Sequence, residues 1–132
     1  MGGLYFDGGD DRVSAGPSAL LNMTTNDFSI DAWIKTPQSG AFEAPIVDRR
    51  IEAASGDIRG YRMYLRYGRL AASIADPQFP GETDFISSTP VIADDCWHHV
   101  AVTIKRYAPN ARVKLYVDGA PIAQFIDRKS VV

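Results

Sequence analysis

The chain has 132 residues, 45% of them hydrophobic and 23% charged, an ordinary globular composition that fits one domain spanning 1–132. Its formal net charge of -2 supplies no strong field to recruit nucleic acid or an anionic membrane, and no stretch approaches the apolar length of a membrane span. At this length a compact fold buries roughly two-thirds of the surface that its unfolded chain exposes, so a core can form without disulfides or metals as staples.

In chain order, the start Met1-Gly2-Gly3-Leu4-Tyr5-Phe6 has neither the basic nor the apolar region of a signal peptide. The loop Asp7-Gly8-Gly9-Asp10-Asp11 follows. Phe28, Ile30, Ala32 and Ile34 then alternate with Ser29, Asp31, Trp33 and Lys35, the period of a strand with two different faces. Tyr61, Met63 and Leu65 alternate with Arg62, Tyr64 and Arg66; Leu70, Ala72 and Ile74 alternate with Ala71 and Ser73; Tyr67-Gly68 between them marks a hairpin. Val100, Val102 and Ile104 form another alternating run. Val113, Leu115 and Val117 lead through Asp118-Gly119 into Ile122-Ala123-Gln124-Phe125-Ile126, a second hairpin.

Stretches with Gly and Pro, namely Thr36-Pro37-Gln38-Ser39-Gly40, Asp76-Pro77-Gln78-Phe79-Pro80-Gly81 and Tyr107-Ala108-Pro109-Asn110, read as loops. No long helical period appears. Many short strands joined by regular turns predict an all-β antiparallel sandwich or barrel.

Leu4-Tyr5-Phe6-Asp7-Gly8-Gly9-Asp10-Asp11-Arg12-Val13, Phe28-Ser29-Ile30-Asp31-Ala32-Trp33-Ile34-Lys35, Trp97-His98-His99-Val100-Ala101-Val102-Thr103 and Val113-Lys114-Leu115-Tyr116-Val117-Asp118-Gly119 come in an order and spacing that resembles the laminin-G-like, concanavalin A-like jelly-roll domains. The resemblance implies a two-sheet jelly-roll β-sandwich, a module of secreted or surface proteins that binds glycans or proteins and in some members holds calcium. It implies no reaction. Family members end in a closing strand of the type Gly-x-Ile-Asp-Glu-Val-Arg-Ile, which is not seen after Ile126. An uncovered edge of that kind predicts a homo-oligomer formed by strand addition or exchange.

The candidate ligand-binding residues are Arg62, Tyr64, Arg66 and Trp33. Guanidinium groups beside an aromatic ring suit an anionic sugar or carboxylate, because Arg bonds in a fork and the ring offers a stacking surface. The bland alternative is a solvated strand face with interspersed charges. Asp7, Asp10 and Asp11 are the candidate calcium ligands, since calcium takes several hard oxygens. The same residues would also make a solvated Asp-Gly turn.

Catalysis has little support. A glycosidase needs two carboxylates a few ångströms apart; Glu82 and Asp84 have that spacing, in a stretch that reads as a loop beside Pro80-Gly81. His98 and His99 are the chain's two histidines. As strand neighbours they point to opposite faces and do not share a metal; one is expected inward with its ring bonded, the other outward. The lone Cys96 reads as a small buried hydrophobe, and Asp94-Asp95 as the cap of the turn before Trp97. Asn22-Met23-Thr24 fits a glycosylation sequon.

The expected function is therefore a non-catalytic binding module, first for a carbohydrate, with protein interaction or assembly through an open sandwich edge as the alternative.

Overall fold

A computed structural model describes residues 2–16, 18–21, 27–37, 42–52, 58–76, 79–106 and 112–126. The Asn22-Met23-Thr24 sequon, the segment after Ile126, and the loop residues Gln38-Ser39-Gly40, Pro77-Gln78 and Tyr107-Ala108-Pro109-Asn110 lie outside them. Nine strands are described: β1 (Phe28–Ile34), β2 (Glu43–Asp48), β3 (Ile51–Glu52), β4 (Ile58–Arg66), β5 (Arg69–Asp76), β6 (Phe79–Val91), β7 (His98–Lys105), β8 (Arg112–Val117) and β9 (Ala120–Ile126). They form two antiparallel sheets, one ordered β1-β7-β8-β9 and the other β2-β4-β5-β6, with β3 also paired to β4. No described helix is long and apolar enough to cross a membrane.

The core lies between the sheets and is filled by alternate residues of the central strands. Met63, Leu65, Leu70, Ala72 and Ile74 from β4 and β5 meet Val100, Val102, Ile104, Val113, Leu115 and Val117 from β7 and β8. Period-2 alternation thus places one set of side chains in a shared apolar layer and the other set on the two outer faces, as sheet-on-sheet packing requires.

Both predicted hairpins are present. Tyr67 and Gly68 have φ of 49° and 76°, and Asp118 and Gly119 have 51° and 80°. Positive φ at both central residues is the turn that follows the twist of paired strands.

Two of the edge strands, β6 and β2, depart from the sequence reading. The stretch Phe79-Pro80-Gly81 and the following Glu82-Thr83-Asp84, read as loop, belong to the 13-residue β6, where Ser73 pairs with Asp84 and Ile74 with Thr83. Strand β2 carried no predictive signal either. Both run along sheet edges, where one row of backbone groups needs no partner, so proline is tolerated: Pro45 lies in β2, Pro80 and Pro90 in β6, and Pro121 in the edge strand β9.

Strands β2 and β3 act as one edge strand interrupted at Arg49 and Arg50. Asp48 pairs with Arg62 and Ile51 with Arg59 in an unchanged register, and the Arg49 N–H donates to the Tyr61 carbonyl at 2.8 Å between them. Opposite the interruption sits Gly60 at φ +119°, where an added Cβ would lie 2.0 Å from the Arg49 carbonyl oxygen. The close approach requires glycine. Arg49 also donates from Nη2 to the Ser18 carbonyl at 3.2 Å, and the Tyr61 hydroxyl donates to the Leu21 carbonyl at 2.9 Å, which fastens the short 3-10 turn Ala19–Leu21 to this sheet.

Candidate functional site

The outer face of the β2-β4-β5-β6 sheet holds a dense polar cluster. At its centre Arg62, only 5% exposed, donates from Nη1 and Nη2 to the two carboxylate oxygens of Glu43 at 2.7 and 3.1 Å and from Nε to Ser73 Oγ at 3.1 Å. Its guanidinium lies 3.8 Å from the Tyr64 ring centroid and its Nη2 3.8 Å from Asp84 Oδ1. Tyr64 is fully buried; its hydroxyl donates to Asp84 Oδ1 at 2.9 Å, and Ser73 Oγ donates to the same oxygen. Four strands meet here, because Glu43 comes from β2, Arg62 and Tyr64 from β4, Ser73 from β5 and Asp84 from β6.

The electrostatics follow from the geometry. Burial works against the Arg62 charge, yet the Glu43 fork more than restores it, so its pKa is raised. Burial first, then the Asp84 carboxylate, pushes the Tyr64 phenol up, despite the opposing bond to Ser73. Tyr64 therefore keeps its proton and stays a donor throughout the physiological range.

The expectation of Arg62, Tyr64 and Arg66 on one strand face holds, but their exposures differ. Arg62 and Tyr64 lie beneath the surface as braces, whereas Arg66 is partly open. The Arg66 guanidinium sits 4.7 Å from the Phe42 ring centroid, and Phe42 meets Tyr67 edge-on at 5.3 Å. Phe42 and Tyr67 are both about half exposed, and the side chains of Glu43 and Asp84 are 27% and 36% exposed. These four residues were absent from the sequence-derived set. Asp84 was considered only as a partner of Glu82, whose side chain lies outside the description.

Trp33 stands apart from this cluster. It is on the outer face of the other sheet, 56% exposed, paired across strands with His99 at 5.3 Å between ring centroids; His99 Nε2 lies 2.9 Å from Asp31 Oδ2. Trp33 and Arg62 therefore face opposite sides of the sandwich.

Asp7, Asp10 and Asp11 do come together: one carboxylate oxygen from each lies within 4.8 Å of the others, all exposed. Asp7 Oδ1 accepts the Gly9 N–H at 2.8 Å and Asp11 Oδ2 accepts the Asp7 N–H at 3.0 Å, so the carboxylates also fix the turn. Three hard oxygen donors suit calcium chemically and supply part of the six to eight oxygens that it takes.

The histidines diverge as expected. His98 bonds Asp94 and Asp118, while His99 lies beside Trp33. Asp94 Oδ1 accepts the Cys96 N–H at 3.0 Å, the expected capping contact. Cys96 itself is exposed, not buried, because it sits in the bend before β7 and outside the alternating pattern that would turn it inward.

A family model described as the concanavalin A-like lectin/glucanases superfamily, of laminin-G type, matches residues 7–131. The chain belongs to this family. Its laminin-G-like sandwich is similar to the carbohydrate-binding module CBM40 of the Ruminococcus gnavus IT-sialidase bound to α2,3-sialyllactose, with TM-score 0.58 and 15% identity over 77% of this chain and 54% of that one. The same module bound to α2,6-sialyllactose gives TM-score 0.58 and 14% identity over 79% and 56%. Domains LG4-5 of the mouse laminin α1 chain give TM-score 0.51 and 21% identity over 74% and 23%. This laminin-G-like chain thus spans about half the length of the sialidase modules and about a quarter of the laminin pair. No curated protein matches it in sequence. These similarities establish the fold.

Proposed function

We propose that this laminin-G-like domain is a non-catalytic carbohydrate-binding module whose ligand lies on the outer face of the β2-β4-β5-β6 sheet. The sugar meets Arg66 and the Phe42–Tyr67 corner, with the Glu43 and Asp84 carboxylates accepting its hydroxyls. The observation that carries this reading is the buried Arg62 fork, with Tyr64 and Ser73, which holds two part-exposed carboxylates in place before a ligand arrives. Groups fixed in advance lose less freedom on binding. Arg62 and Tyr64 are positioning residues in this scheme, and Arg66 is the cation available to a sugar carboxylate. That a module of like fold was solved with sialyllactose keeps acidic sugars among the candidates. Calcium held by Asp7, Asp10 and Asp11 is part of the proposal, as is an extracellular or cell-surface setting, which rests on the family alone.

A second reading is a protein-interaction or assembly module, including self-association. The exposed Leu4, Tyr5, Phe6 and Val13, in a segment that joins neither sheet, favour it.

A glycan array probed with calcium and then with chelator, followed by titration of each hit, separates these readings. Arg66→Ala and Phe42→Ala are each expected to weaken binding about tenfold or more, as loss of a charged fork or a stacking ring does, while Trp33→Ala leaves it unchanged. Loss on Trp33→Ala alone would move the site to the opposite face. Binding abolished by chelator assigns a role to Asp7, Asp10 and Asp11. No glycan bound in either buffer, together with a mass that rises with protein concentration, would favour the assembly reading.

A further inference from the structure

His98 is held at both ring nitrogens. Nδ1 lies 2.7 Å from Asp118 Oδ2 and Nε2 lies 2.9 Å from Asp94 Oδ1. An ionised carboxylate only accepts, so satisfying both contacts needs a proton on each nitrogen, that is, an imidazolium. The carboxylates belong to different segments: Asp94 to the bend before β7, and Asp118 to the turn joining β8 and β9. Each is itself anchored, since Asp94 Oδ1 accepts the Cys96 N–H and Asp118 Oδ1 accepts the His99 N–H at 2.9 Å. The Asp95 N–H donates to the Thr36 carbonyl at 2.9 Å, bringing the segment just after β1 to the same place. Across from His98, β1 contributes the uncharged Ile34. Among the described residues, the charged groups that reach the ring are these two anions.

We propose that protonated His98 is a latch that ties the bend before β7 to the β8–β9 turn, and that loss of its proton opens this end of the sandwich. Neutral imidazole has a single N–H, so deprotonation turns a lone pair toward one of the two carboxylates. That contact becomes repulsive, and the segment bearing Asp94, Cys96 and the half-exposed Trp97 is released. The electrostatics agree in direction. The Asp118 bond, against some cost of burial and with help from Asp94, raises the His98 pKa above its ordinary 6.5. The His98 bond lowers the pKa of both Asp94 and Asp118 from their ordinary 3.8. The latch is therefore in full force below about 6.5, where even an unfolded histidine is protonated, and it fades as pH rises through the raised value. It is also lost on the acid side as pH falls through the lowered carboxylate values.

The test is a two-dimensional NMR titration of the intact chain, with His98 assigned by the resonance missing from His98→Gln. Asp118→Asn is the decisive variant, because Asn is favoured at this positive-φ turn position and keeps an acceptor for the His99 N–H while removing the charge. The expected result is a His98 midpoint above 6.5 in the native chain, moved down in Asp118→Asn. Protection of the Cys96 amide against hydrogen exchange, corrected for the intrinsic rate, should drop several-fold as pH passes that midpoint. A native midpoint at or below 6.5, a midpoint unmoved in Asp118→Asn, or Cys96 protection equal on both sides would overturn the latch.

Discussion

Replacing Arg62 with methionine is expected to destabilise the fold by about 2–4 kcal/mol, read as a shift of the urea midpoint at an unchanged m-value. The side chain is 5% exposed and bonds Glu43 and Ser73. Its removal leaves a carboxylate that entered the fold already paired. Breaking a fully buried ion pair costs about 3–5 kcal/mol; Glu43 and Asp84 are part-exposed and recover some hydration, which places this loss lower. Asp84 keeps its bonds from Tyr64 and Ser73. Arg62→Lys should fall between native and methionine, since an ammonium keeps the charge but cannot span both Glu43 oxygens. Adding Glu43→Leu to Arg62→Met should restore part of the loss by removing the stranded charge. An unchanged urea midpoint in Arg62→Met would remove the brace from the proposed sugar site.

Gly60→Ala is expected to cost about 3 kcal/mol or more, combining a backbone conformation that side chains avoid with a direct clash. The clash is with backbone: an added Cβ would lie 2.0 Å from the Arg49 carbonyl oxygen and 3.0 Å from the Arg50 Cα. Relief would require moving the edge strand away from β4, which would break the Arg49–Tyr61 backbone bond. Gly119→Ala separates the two contributions. Gly119 also has positive φ, +80°, but nothing lies within 4 Å of an added Cβ. It should lose about 1 kcal/mol. Equal losses at both positions, measured by thermal and urea unfolding, would show that the interruption between β2 and β3 yields freely.

The central strands were legible because each buries one face, which forces alternation along the chain. The alternating Tyr61, Met63 and Leu65 and the later Val113, Leu115 and Val117 show it most plainly. Of the edge strands, β1 and β9 were legible too, whereas β2 and β6 were not. β2 and β6 carry prolines and mixed faces that an edge accepts and a centre would not. The same gap explains what was missed at the site. Arg62, Tyr64 and Arg66 could be found from residue type and spacing, but alternation alone assigns their face to solvent. The acids that account for a buried Arg62, Glu43 and Asp84, come from β2 and β6, strands without a periodic signal. Trp33 was grouped with the arginines by chemistry, which carries no information about which sheet holds which strand.

The pairing of β1 with β7 also has a kinetic meaning. Phe28 lies opposite Ile104 and Ile34 opposite His98, so this contact closes a loop of about half the chain, whereas β4–β5 and β8–β9 are joined by tight turns. Closing a long loop loses chain entropy before any contact compensates, so short-range hairpins assemble first and β1 docks late. Apolar truncations in β1 then fall mainly on the unfolding rate, and β1 becomes the strand that sets how long a folded molecule survives before it opens.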